Sequence, residues 1–249
     1  MSVPIITAAI MIIGNEILSG QTHDTNMNYI ASSLNQTGID LMEARVVRDD
    51  AAAIIDHLRT LKQTYHHVFT TGGIGPTHDD ITTACVAQAL DVAVVLDAKA
   101  KQMLLDFYGA EGLTPARLKM AQIPAGAKLI ANPVSGAPGY SIANIHVLAG
   151  VPDIMQAMFQ NLVVELGRGR QTLSKSIVAL TGESSIAAQL AELQKHFPEV
   201  EMGSYPKKNR PYGYHCHLVL RSKQQQSLDL AYEALQSMLT ARSIRSLSA

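Results

Sequence analysis

From residue 5 to about 166, short apolar runs alternate with segments of helical periodicity, and this alternation constrains the fold more than any other feature. A strand covered on both faces shows no polar side, so it reads as a nearly continuous apolar run, and the crossover to the next parallel strand carries a helix with one apolar stripe. Ile5 to Ile13 is such a run. Residues 24 to 38 then place Met27, Ile30, Ala31 and Leu34 at helical spacing, between a cap at Asp24 or Thr25 and a terminating Gly38. A strand over 39–47, a helix with the stripe Ile54, Ile55, Leu58 and Leu61, and a strand over 67–71 follow. After the glycines at 72–75, Ile81, Ala84, Cys85 and Ala89 share a helical face, and their small size lets that helix lie close to the sheet. Residues 97–120 read as helical, 127–132 as a strand, and 140–150 as a hairpin turning at Ala143-Asn144; Pro152 opens a further helix. The expected class is α/β, with a mostly parallel sheet covered on both faces.

The polar stretch 166–174 is the best boundary, giving a first domain over 1–168 and a second over 169–249. The second reads β-α-β-β-α, a small α+β unit. Basic and acidic residues number 20 and 21, so no bulk field favours nucleic acid or an anionic membrane, and any anion site must be local. Cys85 and Cys216 sit far apart inside apolar patterns, as reduced core residues of a cytoplasmic protein do. The N-terminal apolar run lacks a basic flank and is short, so it reads as a buried strand and not as a signal peptide or a membrane span.

The chemistry concentrates in Thr71-Gly72-Gly73-Ile74-Gly75-Pro76-Thr77-His78-Asp79-Asp80. Glycines between a strand and a helix offer free N–H groups to an anion, although a tight connection needing positive φ explains them equally well. The stretch matches neither a dinucleotide-binding nor a Walker pattern, and no lysine follows the glycines. Asp79 and Asp80 read by themselves as solvated acids in a first helical turn. Glu16 follows the first strand, however, and Asp49 and Asp50 follow the second, so all these carboxylates fall at strand carboxyl ends, the ligand-binding edge of an open parallel sheet. Carboxylates around a phosphate repel it unless a cation intervenes; the physical expectation is a divalent metal, most simply Mg²⁺, shared with substrate phosphates. A second glycine loop, Pro133 to Tyr140, offers Ser135, Gly136 and Gly139 for close backbone approach, or is an ordinary surface loop. His215 and His217 read as an exposed strand face, and Lys207-Lys208-Asn209-Arg210 as a solvated hairpin loop that also has the charge to reach a phosphate. No serine elbow, Cys-His pair or zinc signature is present, which points away from covalent hydrolases and zinc enzymes.

Taken together, Gly14-Asn15-Glu16-Ile17-Leu18-Ser19-Gly20, Asp24-Thr25-Asn26, Val47 to Asp49 and Thr71 to Thr82 resemble the molybdopterin-binding (MoaB/MogA-like) superfamily, and within it the N-terminal domain of the competence/damage-inducible CinA proteins. Asn132-Pro133, Ala137-Pro138-Gly139-Tyr140, Gly150-Val151-Pro152, Gly182-Glu183-Ser184 and Gly203-Ser204-Tyr205-Pro206 extend the resemblance over nearly the whole chain. It does not include the C-terminal nicotinamide-mononucleotide deamidase domain of full-length CinA proteins, so that activity is not expected. The resemblance implies a three-layer α/β/α fold with its ligand at the glycine loops. Gly14, Asn15, Asn26, Thr71, Gly72, Gly73, Gly75, Thr77, Ser135, Gly136, Pro138 and Gly139 are the expected substrate contacts. Asp49, Asp80 and Glu16 are the expected catalytic residues, and Asp79 with Asp80 the expected metal ligands. The implied activity is hydrolysis of ADP-ribose or a related adenine dinucleotide to monophosphates with Mg²⁺, Mn²⁺ or Co²⁺. Molybdopterin adenylyltransfer, FAD hydrolysis and ligand binding without turnover are the alternatives. The implied partners are a small nucleotide or pterin and further copies of the chain, as a dimer or trimer.

Overall fold

The structure, a computed structural model, describes residues 4–209 and 213–248. The chain divides into two compact units, Met1–Arg170 and Gln171–Ala249. In chain order the first contains β1 (Ile6–Ile13), α1 (Asn15–Leu18), α2 (Asn26–Thr37), β2 (Ile39–Val47), α3 (Ala51–Thr64), β3 (His67–Thr71) and α4 (Thr82–Leu90). There follow β4 (Val94–Leu96), α5 (Ala98–Gly112), α6 (Pro115–Lys119), β5 (Gln122–Pro124), β6 (Lys128–Ile130), β7 (Gly139–Ile142), β8 (Ile145–Leu148) and α7 (Pro152–Val163).

The main sheet has the order β2-β1-β3-β8-β7-β6. β1 pairs in parallel with β2 and β3, and β3 with β8, while β7 runs antiparallel beside β8 and β6. Side chains of β1 alternate between two cores, which is why its sequence lacks a polar side. Ala9, Met11 and Ile13 pack with Ile54, Leu58 and Leu61 of α3 and Cys85 and Val86 of α4. Ala8, Ile10 and Ile12 pack on the other face with Ile30 and Leu34 of α2 and Met155, Phe159 and Leu162 of α7. This is the three-layer α/β/α arrangement with a mostly parallel sheet. Two stripes are rotated from their expected positions. α2 begins at Asn26, so Asn26, Ile30 and Leu34 recur every four residues and are buried, leaving Met27 exposed. α4 begins at Thr82, so Thr82, Cys85, Val86 and Ala89 form the buried face and Ala84 points outward. The helical stretch over 97–120 is two helices, because Thr114 accepts from the Arg117 amide at 3.3 Å and caps α6, with Pro115 in its first turn.

The second unit contains β9 (Leu173–Ala179), α8 (Ala187–His196), β10 (Glu201–Asn209), β11 (Gly213–Ser222), α9 (Gln225–Ala241) and β12 (Ser246–Ser248). Its sheet has the order β10-β11-β9-β12 and its pairs are antiparallel. Leu218 and Leu220 of β11 pack with Leu228, Leu235 and Leu239 of α9. Cys85 and Cys216 are free and buried. His215 departs from the exposed face expected for it. It is buried, with Nδ1 3.0 Å from the Gly213 carbonyl and its ring 5.4 Å from His217. Lys207 and Lys208 lie on β10 and are exposed; Arg210 lies outside the described residues. Among the described residues no helix is long and apolar enough to cross a membrane.

One buried polar chain gives the first unit a pH dependence. His146 on β8 lies 2.8 Å from Ser141 Oγ through Nδ1 and 3.1 Å from His67 Nδ1 through Nε2, and stacks on Phe69 at 5.1 Å. Burial pushes the His146 pKa down to about 3, and burial, followed by the charge of His66, lowers His67. Below the ordinary histidine value of 6.5 the unfolded chain binds a proton that the folded chain refuses. Stability is therefore present above that pH and is lost as pH falls, by up to about 1.4 kcal/mol per pH unit for one proton. Urea midpoints measured from pH 7 to pH 5 are expected to fall, and the fall to be smaller in His146→Asn; equal slopes in the two proteins refute the assignment.

Candidate active site

Parallel pairing brings the carboxyl ends of β1, β2, β3 and β8 to one edge, where crossover loops leave an open crevice. The loops continue the ladder: the Gly14 amide donates to the Val47 carbonyl at 3.1 Å and the Gly72 amide to the Leu148 carbonyl at 3.2 Å. Between them lies a cavity of about 690 Å³. Its lining includes the expected residues Gly14, Glu16 and Asp49 from the first two loops. Gly72, Gly73, Gly75, Thr77, Asp79 and Asp80 line it from the third, and Ser135 from the second glycine loop.

The turn from Gly72 to Ile81 is built around a carboxylate. Asp80 Oδ1 accepts from the Gly75 amide at 2.7 Å; Oδ2 accepts from the Thr77 amide at 2.8 Å and the Thr77 hydroxyl at 2.6 Å. Two donors of the expected anion cradle are thus already satisfied from within the chain, while the Gly73 and Ile74 amides make no hydrogen bond within the described residues. The acids do not lie in the first turn of a helix, because α4 starts only at Thr82, after an N-cap at Ile81. Thr82 closes the turn, donating from its amide to Gly73 O at 3.0 Å and from its hydroxyl to Gly72 O at 2.9 Å. Asp79 is exposed, and the Thr77 hydroxyl, whose single proton it shares with Asp80, followed by backbone hydrogen bonding, lowers its pKa.

The other carboxylates are held differently. Asp49 lines the cavity and its Oδ2 accepts from the Asn15 amide at 2.9 Å; Arg48 Nε reaches Asn15 Oδ1 at 3.4 Å. Asp50 caps α3 through the Ala53 amide at 2.9 Å and belongs to the helix. Glu16 is exposed and folds back over Gly14, where an added Cβ meets Glu16 Oε1 at 2.5 Å. Among the described residues no group of three or more His, Cys, Asp or Glu is arranged to hold a metal ion. The donors are all oxygens, and one or two carboxylates suit a hard divalent cation whose remaining ligands are water and substrate phosphates; a caged protein site is not what these residues build.

Asn26 and Thr71 line a smaller cavity of about 50 Å³ that shares Glu16, Thr22 and Gly150 with the main one. Asn26 Nδ2 donates to the Gly150 carbonyl at 2.7 Å, and Asn26 Oδ1 and Thr71 Oγ1 are buried without a partner among the described residues. Such atoms are ordinarily satisfied by an ordered water or a ligand. Asn132, not foreseen as a site residue, organises the second glycine loop. Its Oδ1 accepts from the Val134 and Ser135 amides, and its Nδ2 donates to Ser135 Oγ and the Ala137 carbonyl. Asn15, Gly136, Pro138 and Gly139 fall outside the lining of the main cavity: Pro138 lines a neighbouring cavity of about 80 Å³, and Gly139 begins β7 against Val147.

The cations of the site come from α6, and an aromatic ring from α5. Lys119 Nζ donates to the Thr77 and Asp80 carbonyls, and Arg117 and Tyr108 line the main cavity. No lysine follows the glycines along the chain; the fold brings one in from 39 residues beyond Asp80.

The family described as "Probable molybdopterin binding domain" matches residues 9–169, and "FAD synthase, middle domain" matches residues 171–248. A protein of Pyrobaculum arsenaticum is 35% identical over 211 residues, covering 80% of both chains. A protein of Thermococcus kodakarensis is 33% identical over 247 residues, covering 92% of this chain and 96% of the relative. The crystal structure of the protein CinA with unknown function from Thermoplasma acidophilum has a TM-score of 0.62 at 34% identity, covering 65% of this chain and 98% of that one. With the glycine turns at its strand ends and a family match over residues 9–169, the chain belongs to the molybdopterin-binding domain family; its first unit is CinA-like, and its second unit matches the middle domain of FAD synthase.

Proposed function

We propose that the protein is a metal-dependent nucleotide pyrophosphatase, hydrolysing ADP-ribose or a related adenine dinucleotide to two monophosphates. The observation that carries this reading is the meeting, in one cavity, of unpaired amides at Gly73 and Ile74 with the carboxylates of Glu16, Asp49 and Asp79. Amides alone bind a phosphate passively; amides among acids call for a cation and a polyanionic ligand. A divalent cation supplies neutralisation of phosphate charge there, and Asp79 and Glu16 are the carboxylates with free oxygens to hold it. The amides orient one phosphate. Asp80 fixes the turn that aims them. Asp49, held by the Asn15 amide, keeps one oxygen to orient the attacking water and take up its proton. Lys119 tethers the far side of the turn through two carbonyls, so that the donors are preorganised before substrate arrives.

The match of residues 171–248 to a domain of FAD synthase makes FAD the second substrate to examine. Incubation with ADP-ribose or FAD and Mg²⁺, Mn²⁺ or Co²⁺, followed by chromatography, is expected to release AMP with at least one metal. Absence of AMP with every metal refutes hydrolysis, and adenylylation of a pterin by ATP in the same assay replaces it with group transfer.

A further inference from the structure

The lining of the main cavity combines two chemically different groups. One is the carboxylates Glu16, Asp49, Asp79 and Asp80; the other is Tyr108, Arg117 and Met120 from α5 and the α6 segment, with Arg117 the cation among the lining residues. Arg117 makes no ion pair among the described residues. Its Nη1 instead donates to the Gly112 carbonyl at 2.6 Å, and its guanidinium carbon lies 4.2 Å over the centre of the Tyr108 ring. Tyr108 is buttressed in turn by Phe107, whose ring meets it edge-on at 4.9 Å and 75°. Phe107 packs over Gly136, where any added Cβ comes within 2.5 Å of it.

An arginine meant for a phosphate presents its fork of N–H groups. This one spends part of its fork on a backbone carbonyl and one face on a tyrosine, which leaves a flat, weakly hydrated cationic surface held in place before any ligand binds. That surface suits the π-face of a nucleobase, which stacks on guanidinium planes as well as on aromatic rings. Ser135 lines the same cavity, and its Oγ already accepts from Asn132, so its own proton is free to donate to a ring nitrogen. We infer that Tyr108 and Arg117 form the purine-stacking part of the cavity and set its preference for a nucleotide over a sugar phosphate without a base. The inference rests on the pyrophosphatase reading for its substrate, but it concerns binding and is tested without turnover.

The full-length chain is titrated calorimetrically with AMP and with ribose 5-phosphate, each with Mg²⁺. Wild type is expected to bind AMP about tenfold more tightly, in the range of one stacked base. Arg117→Ala and Arg117→Lys are both expected to lose most of that advantage while ribose 5-phosphate binding is unchanged, and Tyr108→Phe is expected to retain it. Equal loss for both ligands, or recovery in Arg117→Lys, makes Arg117 a phosphate ligand and overturns the inference. An AMP preference that disappears in the variants, in a protein that releases no AMP from any dinucleotide, keeps the stacking site and removes the hydrolase.

Discussion

Asp80→Asn is expected to lower kcat/KM for dinucleotide hydrolysis at least about a hundredfold, with no recovery at raised metal concentration. The carboxylate accepts from the Gly75 and Thr77 amides and shares the single proton of the Thr77 hydroxyl with Asp79, and these contacts set the turn. Asparagine has one acceptor oxygen and one donor nitrogen, so one of the two backbone amides must face an N–H₂ group. Hydrogen bonds to a charged group are worth about 1.5–3 kcal/mol each, and part of that is lost to solvent at this half-exposed position. The remainder is enough to disorder the donors that hold the phosphate, at about tenfold in rate per 1.4 kcal/mol. Asp79→Asn makes an informative contrast. Asp79 is exposed and, unlike Asp80, accepts from neither the Gly75 nor the Thr77 amide, so its loss acts on cation binding, and saturating Mg²⁺ is expected to restore most of the rate. Asp80 is a positioning residue in this account and Asp79 a ligand. Rescue of Asp80→Asn by metal, or turnover within about threefold of wild type, sets the account aside, provided that both variants melt within a few degrees of wild type.

That division of labour was not legible in the sequence, although the residues were. Hydrophobic period locates β1, β2, β3, α2 and α3 because each buries a continuous surface, and burial is what periodicity records. The parallel order follows from the crossovers, and with it the gathering of Glu16, Asp49, Asp79 and Asp80 at one edge. Two kinds of information are missing. The ribbon of β4 and β5 has strands of three residues each, too short to show a period, and Val94 to Leu96 are exposed. The state of each polar group is the other: whether an amide is free or already paired depends on a side chain several residues away. Asp80 reads as a candidate ligand by composition and as an internal anion by geometry. Arg117 and Lys119 arrive from α6 through tertiary folding, so no spacing rule connects them to the glycines. The same holds for Met27 and Asn26: α2 starts after Thr25, one of the two expected caps, yet its buried stripe runs through Asn26, Ile30 and Leu34, which turns the expected core methionine outward and buries an asparagine.

Gly72→Ala is expected to destabilise the first unit by about 3 kcal/mol or more and to abolish ligand binding. Gly72 has φ +100°, where an L side chain costs of the order of 1–2 kcal/mol before any contact is counted. A Cβ at this position also falls 2.2 Å from the Ile13 carbonyl oxygen. That oxygen is backbone at the end of the central strand, so it yields only if β1 and β3 separate where Gly14 and Glu16 begin. Gly20→Ala separates the two contributions, because Gly20 has φ +74° and nothing within 4 Å of the added carbon. It is expected to cost about 1 kcal/mol, the conformational part alone. For a chain of this length 1 kcal/mol corresponds to about 2–4 °C in Tm. Thermal unfolding should therefore show a loss of roughly 6–12 °C for Gly72→Ala against a few degrees for Gly20→Ala. Equal losses mean that the approach of β3's first glycine to β1 is looser than 2.2 Å implies, and that the amides after it are free to adjust to a ligand instead of being held for it.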